Sequence, residues 1–98
     1  MTVAETYYYV YILASGRHGT LYIGATNNLR TRLEQHRAGR GSQFVKQYNV
    51  FRLVYVETFA SPQEAIAREK QLKNWRRDWK VRLIETDNLD WSDLSHLL

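Results

Sequence analysis

Two short runs of β-forming residues, joined by a glycine-bearing turn, constrain this chain more than any other feature. Residues 7–13 read YYYVYIL and residues 20–24 read TLYIG, and the segment 14–19 (ASGRHG) joins them. Aromatic and branched aliphatic runs of this length, bounded by glycine, read as strands, and a short segment with two glycines reads as a turn. Together they predict an antiparallel hairpin. If Leu13 pairs with Thr20, Tyr11 falls opposite Tyr22. Opposed residues share a face, so the two phenol hydroxyls converge. An aromatic pair that merely packs across the strands satisfies the same pattern.

Beyond the hairpin, Thr26, Asn27 and Asn28 supply capping side chains for a helix running to about Arg37. Leu29 and Leu33 mark its apolar stripe, and helical spacing places Arg32 and His36 on that stripe. Residues 39–42 (GRGS) read as a loop, and residues 43–50 carry only a weak pattern. Residues 51–58 (FRLVYVET) alternate well enough for a third strand. Ser61, Pro62 and Glu64 then open a strong helix, with serine as cap, proline at the first position and an acid at the third. That helix runs to about Trp75, and Ala65, Ile66, Leu72 and Trp75 define its inner face, with Glu69 inside the arc. Asp78 is expected to cap a last short helix through Ile84. The expected architecture is α+β: a three-stranded antiparallel sheet flanked by helices, in the order β-β-α-β-α-α.

The chain has 98 residues, which is the size of one domain. It is read as a single unit, 1–98, whose acidic end, residues 85–98, packs on the body through Trp91 and Leu94. Without cysteine, disulfides and cysteine-ligated zinc are excluded. The histidines, His18, His36 and His96, do not form a metal-binding pair on one helix. Residues 1–6 contain no basic leader, and no apolar run approaches spanning length. A reducing, cytoplasmic setting is the simplest expectation.

The net charge is +4, but its distribution matters more. Residues 1–84 hold all fourteen basic side chains and six acids, a local +8, while residues 85–98 hold four acids and no base. A basic body suits a polyanionic partner. The helical segment with Arg68, Lys70, Lys73, Arg76 and Arg77, interleaved by Trp75 and Trp79, concentrates that charge. A solvated helix face with core tryptophans would read the same way.

Several residues have the chemistry a phosphodiesterase requires. Glu69 is an acid on an apolar helix face, where charged groups are rare unless paired or bound to metal; Arg68, Lys70, Lys73 or Arg32 could pair with it. A carboxylate can hold a hard cation such as Mg2+. Arg32 can steady a phosphate's developing charge, although an arginine on an apolar stripe ordinarily packs its stem and keeps its head in water. A tyrosine hydroxyl nearby can orient or deprotonate the attacking water.

In order along the chain, these residues resemble the GIY-YIG nuclease family. Tyr9-Val10-Tyr11, ten residues of spacing, then Tyr22-Ile23-Gly24 are similar to the paired motif that names it. The segment with Asn28, Leu29, Arg32 and Leu33, followed by His36, resembles its second motif. The segment from Ala65 through Glu69 to Lys73 resembles its metal-binding helix. Tyr9 stands where the name motif has glycine, a form that resembles the small stand-alone branch. The ending 88–94 is similar to the tail of small bacterial members, with Leu89 in place of their proline.

The resemblance implies roles. Tyr11 matches the general-base or water-orienting tyrosine, and Tyr22 the second motif tyrosine. Gly24 matches the glycine that admits close backbone approach. Arg32 matches the phosphate-stabilising arginine, His36 a site histidine and Glu69 the lone metal-ligating carboxylate. A site asparagine is expected downstream; Asn74 and Asn88 are candidates, with Asn88 favoured. Arg30, Lys70, Lys73, Arg76 and Arg77 are the expected nucleic-acid contacts. The implied cofactor is Mg2+ or another divalent cation such as Mn2+. The implied substrate is DNA, branched or damaged in the repair-type relatives, and cleavage is expected to be structure-selective or weakly sequence-selective. A chain with no room for a targeting domain would take selectivity from a protein partner. The competing expectations are a nucleic-acid-binding module of the same fold that cleaves slowly or not at all, and an adaptor that binds another protein through its acidic tail.

Overall fold

A computed structural model describes residues 7–98; the reading of residues 1–6 as lacking a leader lies outside them. The strands are β1 (Tyr8–Ala14), β2 (Leu21–Thr26) and β3 (Arg52–Phe59), and the helices are α1 (Leu29–Arg37), α2 (Gln43–Tyr48), α3 (Pro62–Asn74) and α4 (Arg77–Asp87), with a final 3-10 turn at Leu94–Leu97. The three strands form one antiparallel sheet in the order β2-β1-β3. The expected α+β class and element order hold, with α2 as an added short helix between α1 and β3.

The hairpin register differs from the sequence expectation. Leu13 pairs with Tyr22, not Thr20, and Tyr11 pairs with Gly24. The cause lies in the turn. Ser15 and Thr20 close it from both sides: Ser15 N–H donates to the Thr20 carbonyl at 3.0 Å and Thr20 N–H to Ser15 Oγ at 2.9 Å. Gly19 N–H folds back onto the Gly16 carbonyl, and His18 takes a left-handed φ of 58°. The shift is two residues, and side chains alternate with a period of two. Tyr11 and Tyr22 therefore still share a face, as diagonal neighbours.

The sheet carries a core on each face. Val10, Ile12, Ala14 and Ile23 pack with Ala65 and Leu72 of α3, Ile84 of α4 and Trp91. Tyr11, Leu13 and Leu53 pack with Leu29 and Leu33 of α1, and with Val45 and Val50. A register shift opposite Ile12 and Leu13 leaves Val54 as an extra residue, so Val54 and Tyr55 both join the α3–α4 core.

Local capping chemistry fixes the helix starts. Asn28 Oδ1 accepts from Thr31 N–H to open α1, and Ser61 Oγ accepts from Glu64 N–H to open α3. Two details differ from the sequence reading. Ile66 is about half exposed rather than inward. The inner line of α3 runs Ala65–Glu69–Leu72, at i, i+4 and i+7, and Ile66 lies one residue, about 100°, away from it. Asp78 is not the cap of α4; Arg76 holds that position without a side-chain cap bond, and the helix extends to Asp87.

The chain end lies along β3. Trp91 is fully buried, its Nε1 donates to Glu85 Oε2 at 2.7 Å, and its carbonyl accepts from Arg52. Asp93 Oδ1 accepts from the backbone N–H of Leu53.

Candidate nuclease site

β1 brings Tyr11, β2 brings Tyr22 and Gly24, and α1 brings His36 to one face of the sheet; Arg32 also lies on α1, whereas Glu69 lies on α3, whose buried residues pack in the core of the other face. The Tyr11 hydroxyl lies 3.0 Å from His36 Nε2, and both groups are buried. The Tyr11 and Tyr22 rings are 6.3 Å apart, and the His36 ring stands edge-on to Tyr22 at 5.3 Å.

Gly24 makes this packing possible. A Cβ there would come within 2.4 Å of Tyr11 Oη and 2.5 Å of its Cζ. Tyr11 therefore lies directly over the glycine it pairs with, and any side chain at 24 would displace it. Gly41 does the same for His36: a Cβ would meet Nδ1 at 2.5 Å. The sequence reading treated Gly41 only as part of a loop. A glycine closely following a site histidine was the available signal, but a loop glycine has many other uses.

Burial sets the protonation states. Tyr11 is pushed well above the ordinary phenol range, first by desolvation and then by Tyr22; Arg32 opposes the shift and Glu69 adds to it. Both Arg32 and Glu69 therefore act on the Tyr11 hydroxyl. His36 is held below the usual imidazole range, first by burial and then by the Arg32 charge. At neutral pH the pair is a phenol and a neutral imidazole. His36 Nδ1 has no hydrogen-bond partner among the described residues. An orphaned N–H in that position is rarer than an unsatisfied lone pair, so the favoured tautomer carries its proton on Nε2 and donates to Tyr11.

Arg32 is half-buried one turn before His36. Glu69 lies on the buried line of α3, its side chain 21% exposed. Its Oε1 accepts from Lys73 Nζ at 2.5 Å, an i,i+4 pair. Of the possible partners, Lys73 is the one that holds it; Arg68 instead grips Glu57 with Nε and Nη2 and stacks on Trp75.

The remaining sequence candidates lie apart from this cluster. Asn88 is buried near β3, where Nδ2 donates to the carbonyls of Val54 and Ser92 and Oδ1 accepts from Ser92 N–H. Its amide locks the tail turn, and the structure does not bring it to the tyrosines. Asn74 is exposed and donates to the Lys70 carbonyl. Arg30, Lys70, Lys73, Arg76 and Arg77 are all exposed. Arg77, however, donates to the carbonyls of His18 and Gly19, both at 2.7 Å, and so holds the β1–β2 turn. Arg76 lies over the Trp79 ring. On α2, Phe44 and Tyr48 extend the aromatic set outward from Tyr22.

Residues 7–82 match the model of the GIY-YIG catalytic domain. The chain belongs to the GIY-YIG family. It is 38% identical over 78 residues to a UPF0213 protein of Staphylococcus haemolyticus, covering 80% of this chain and 94% of that one. It is 40% identical over 78 residues to a UPF0213 protein of Oceanobacillus iheyensis, covering 80% and 90% respectively. Among solved structures, it resembles the solution NMR structure of a UPF0213 protein from Bacillus halodurans, with a TM-score of 0.56, 30% identity and coverage of 93% of this chain and 96% of that one. The GIY-YIG name motif thus falls on β1 and β2, and the register sets its second glycine, Gly24, beneath its first-strand tyrosine, Tyr11. Among the described residues, no helix is long and apolar enough to cross a membrane.

Proposed function

We propose that this GIY-YIG protein is a divalent-cation-dependent endonuclease that hydrolyses DNA phosphodiester bonds. The observation that carries the reading is the packing of Tyr11, Tyr22 and His36 beside Gly24, with Arg32 and Glu69 both acting electrostatically on the Tyr11 hydroxyl. These residues combine two hydroxyls, one permanent cation, one oriented imidazole and one carboxylate. No nucleophilic serine or cysteine is needed, because water attacks.

Among the described residues, no three acids or histidines gather to cage a metal. A lone carboxylate such as Glu69 suits a hydrated ion whose other ligands are waters and substrate phosphate, as magnesium prefers. Glu69 would hold it. When bound, the ion supplies Lewis-acid stabilisation of the phosphate and the leaving oxygen.

The protein's own groups do the rest. Arg32 presents a planar fork to the non-bridging oxygens, where negative charge grows. Tyr11 stays protonated, so it acts by holding and orienting the attacking water rather than as a standing phenolate. The His36 N–H fixes the Tyr11 oxygen in that orientation. Tyr22 packs against both Tyr11 and His36. Lys70 and Arg30 contribute the sequence-independent attraction to phosphates.

Nicking of supercoiled plasmid and cutting of branched, single-stranded and RNA substrates, with Mg2+ or Mn2+ and then with EDTA, test the proposal. Cleavage that needs the cation and is lost in Glu69→Ala supports it. Binding without cleavage under every condition would establish the non-catalytic module instead.

A further inference from the structure

The Glu69–Lys73 pair has a consequence for how the cation enters. Glu69 is mostly buried on the inner line of α3, while Lys73, one turn on, is half exposed, with side-chain exposures of 21% and 52%. Lys73 Nζ holds Oε1 at 2.5 Å. Lys80 of α4 donates to the Lys73 carbonyl at 3.4 Å, which ties this turn of α3 to the neighbouring helix.

Charge balance at the site is informative. Glu69 contributes one negative charge. Lys73, bonded to it, cancels that charge. The paired carboxylate therefore offers a divalent ion no net attraction. A substrate phosphate reverses that balance. It gives the ion further oxygen ligands, which a single-carboxylate magnesium site requires, and it offers the ammonium a new acceptor. An i,i+4 ion pair whose lysine is half exposed is weak enough to exchange.

We propose that Lys73 is the built-in counter-ion of the metal carboxylate: it occupies Glu69 in the substrate-free protein and passes to the substrate phosphate when nucleic acid brings the cation in. The inference rests on the reading of Glu69 as the metal ligand. It makes Lys73 a positioning residue that couples cation binding to substrate binding, because a binding-competent carboxylate is only fractionally available while the lysine holds it.

The test is a Mn2+ titration of the DNA-free protein, followed by electron paramagnetic resonance of the free ion. Lys73→Met keeps the stem and the helix propensity but removes the charge. It should tighten Mn2+ binding roughly three- to tenfold, the order expected when one like charge several ångströms from a divalent ion is removed in a water-like, salt-screened setting. Lys73→Arg keeps the charge and should stay within about twofold of the parent. Glu69→Gln should abolish the site in either background. Glu69-dependent binding whose affinity is unchanged or weaker in Lys73→Met overturns the counter-ion role and leaves the metal site standing. Mn2+ binding absent from both DNA-free proteins overturns the counter-ion role, and binding that is indifferent to Glu69, or absent also when a non-cleavable duplex is present, overturns the metal site with it.

Discussion

At the β1–α1 side of the sheet, a buried imidazole nitrogen, His36 Nδ1, meets no partner among the described residues, and a phenol is pressed onto a glycine. At the β3 side, the Asn88 amide uses both its oxygen and its nitrogen, and Asp93 and Trp91 are each bonded. Both regions are buried and polar, so burial and polarity alone do not tell a site from a brace. Completeness does. Fully satisfied polar groups lock a structure, whereas tolerated imperfections cluster where a ligand is awaited. By that measure Asn88 belongs to the brace.

The sharpest way to break this comparison is to delete one group from each side. Glu69→Ala should abolish cleavage while the melting temperature and DNA affinity stay near the parent. If Glu69→Ala cuts at the parent rate, the site side is misassigned. Next in size, Arg32→Lys keeps charge and stem but loses the fork, and single-turnover cleavage should fall by about two orders of magnitude. Unchanged turnover with a lowered melting point would make Arg32 structural. Asn88→Ala removes three hydrogen bonds near β3 and should cost on the order of 1–3 kcal/mol in denaturant unfolding. The folded fraction should keep its specific activity, and a selective loss of turnover would return Asn88 to the site.

Smaller effects sharpen the same division. Lys70→Glu should weaken DNA binding for all sequences alike and flatten its salt dependence. Arg77→Glu should instead loosen the β1–β2 turn and show first in stability, because its guanidinium is already bonded to two carbonyls. The smallest effect concerns pH. His36 is held below its ordinary range when folded, while an unfolded histidine titrates near 6.5. The unfolded chain therefore takes up the proton first as pH falls. Stability is full above about pH 6.5 and declines below it, until the folded imidazole also titrates. His36→Gln should flatten that decline in urea midpoints measured between pH 7 and 5. An unaltered decline would mean that other groups cause it.

The sequence made the site more legible than the brace, for a physical reason. The tyrosines were placed on one face because alternation survives a two-residue register error. Glu69 was placed inward because Ile66 and Leu72 bracket it by helical period; Ile66 is half exposed, and Ala65, one turn before Glu69, holds the buried line in its place. Asn88 was favoured as the site asparagine because a buried amide and a site amide leave the same trace in one sequence; its partners in the structure are Val54 and Ser92. The helix α2 was missed because six residues with one buried side chain, Val45, are too few to show a period. Arg77 was counted as a DNA contact because its carbonyl partners, His18 and Gly19, are far away in sequence.

His36 Nδ1, which meets no partner among the described residues, also makes the protein its own indicator. Imidazole nitrogens report their protonation and bonding through nitrogen chemical shift, and two of this chain's three histidines, His18 and His96, are outside the cluster as internal references. Enriching the histidines with nitrogen-15 would therefore give one interior imidazole whose pair of ring resonances reads the tautomer directly. Those resonances would move when substrate, cation or a site substitution changes the surroundings of Tyr11, without any need to wait for a bond to be cut.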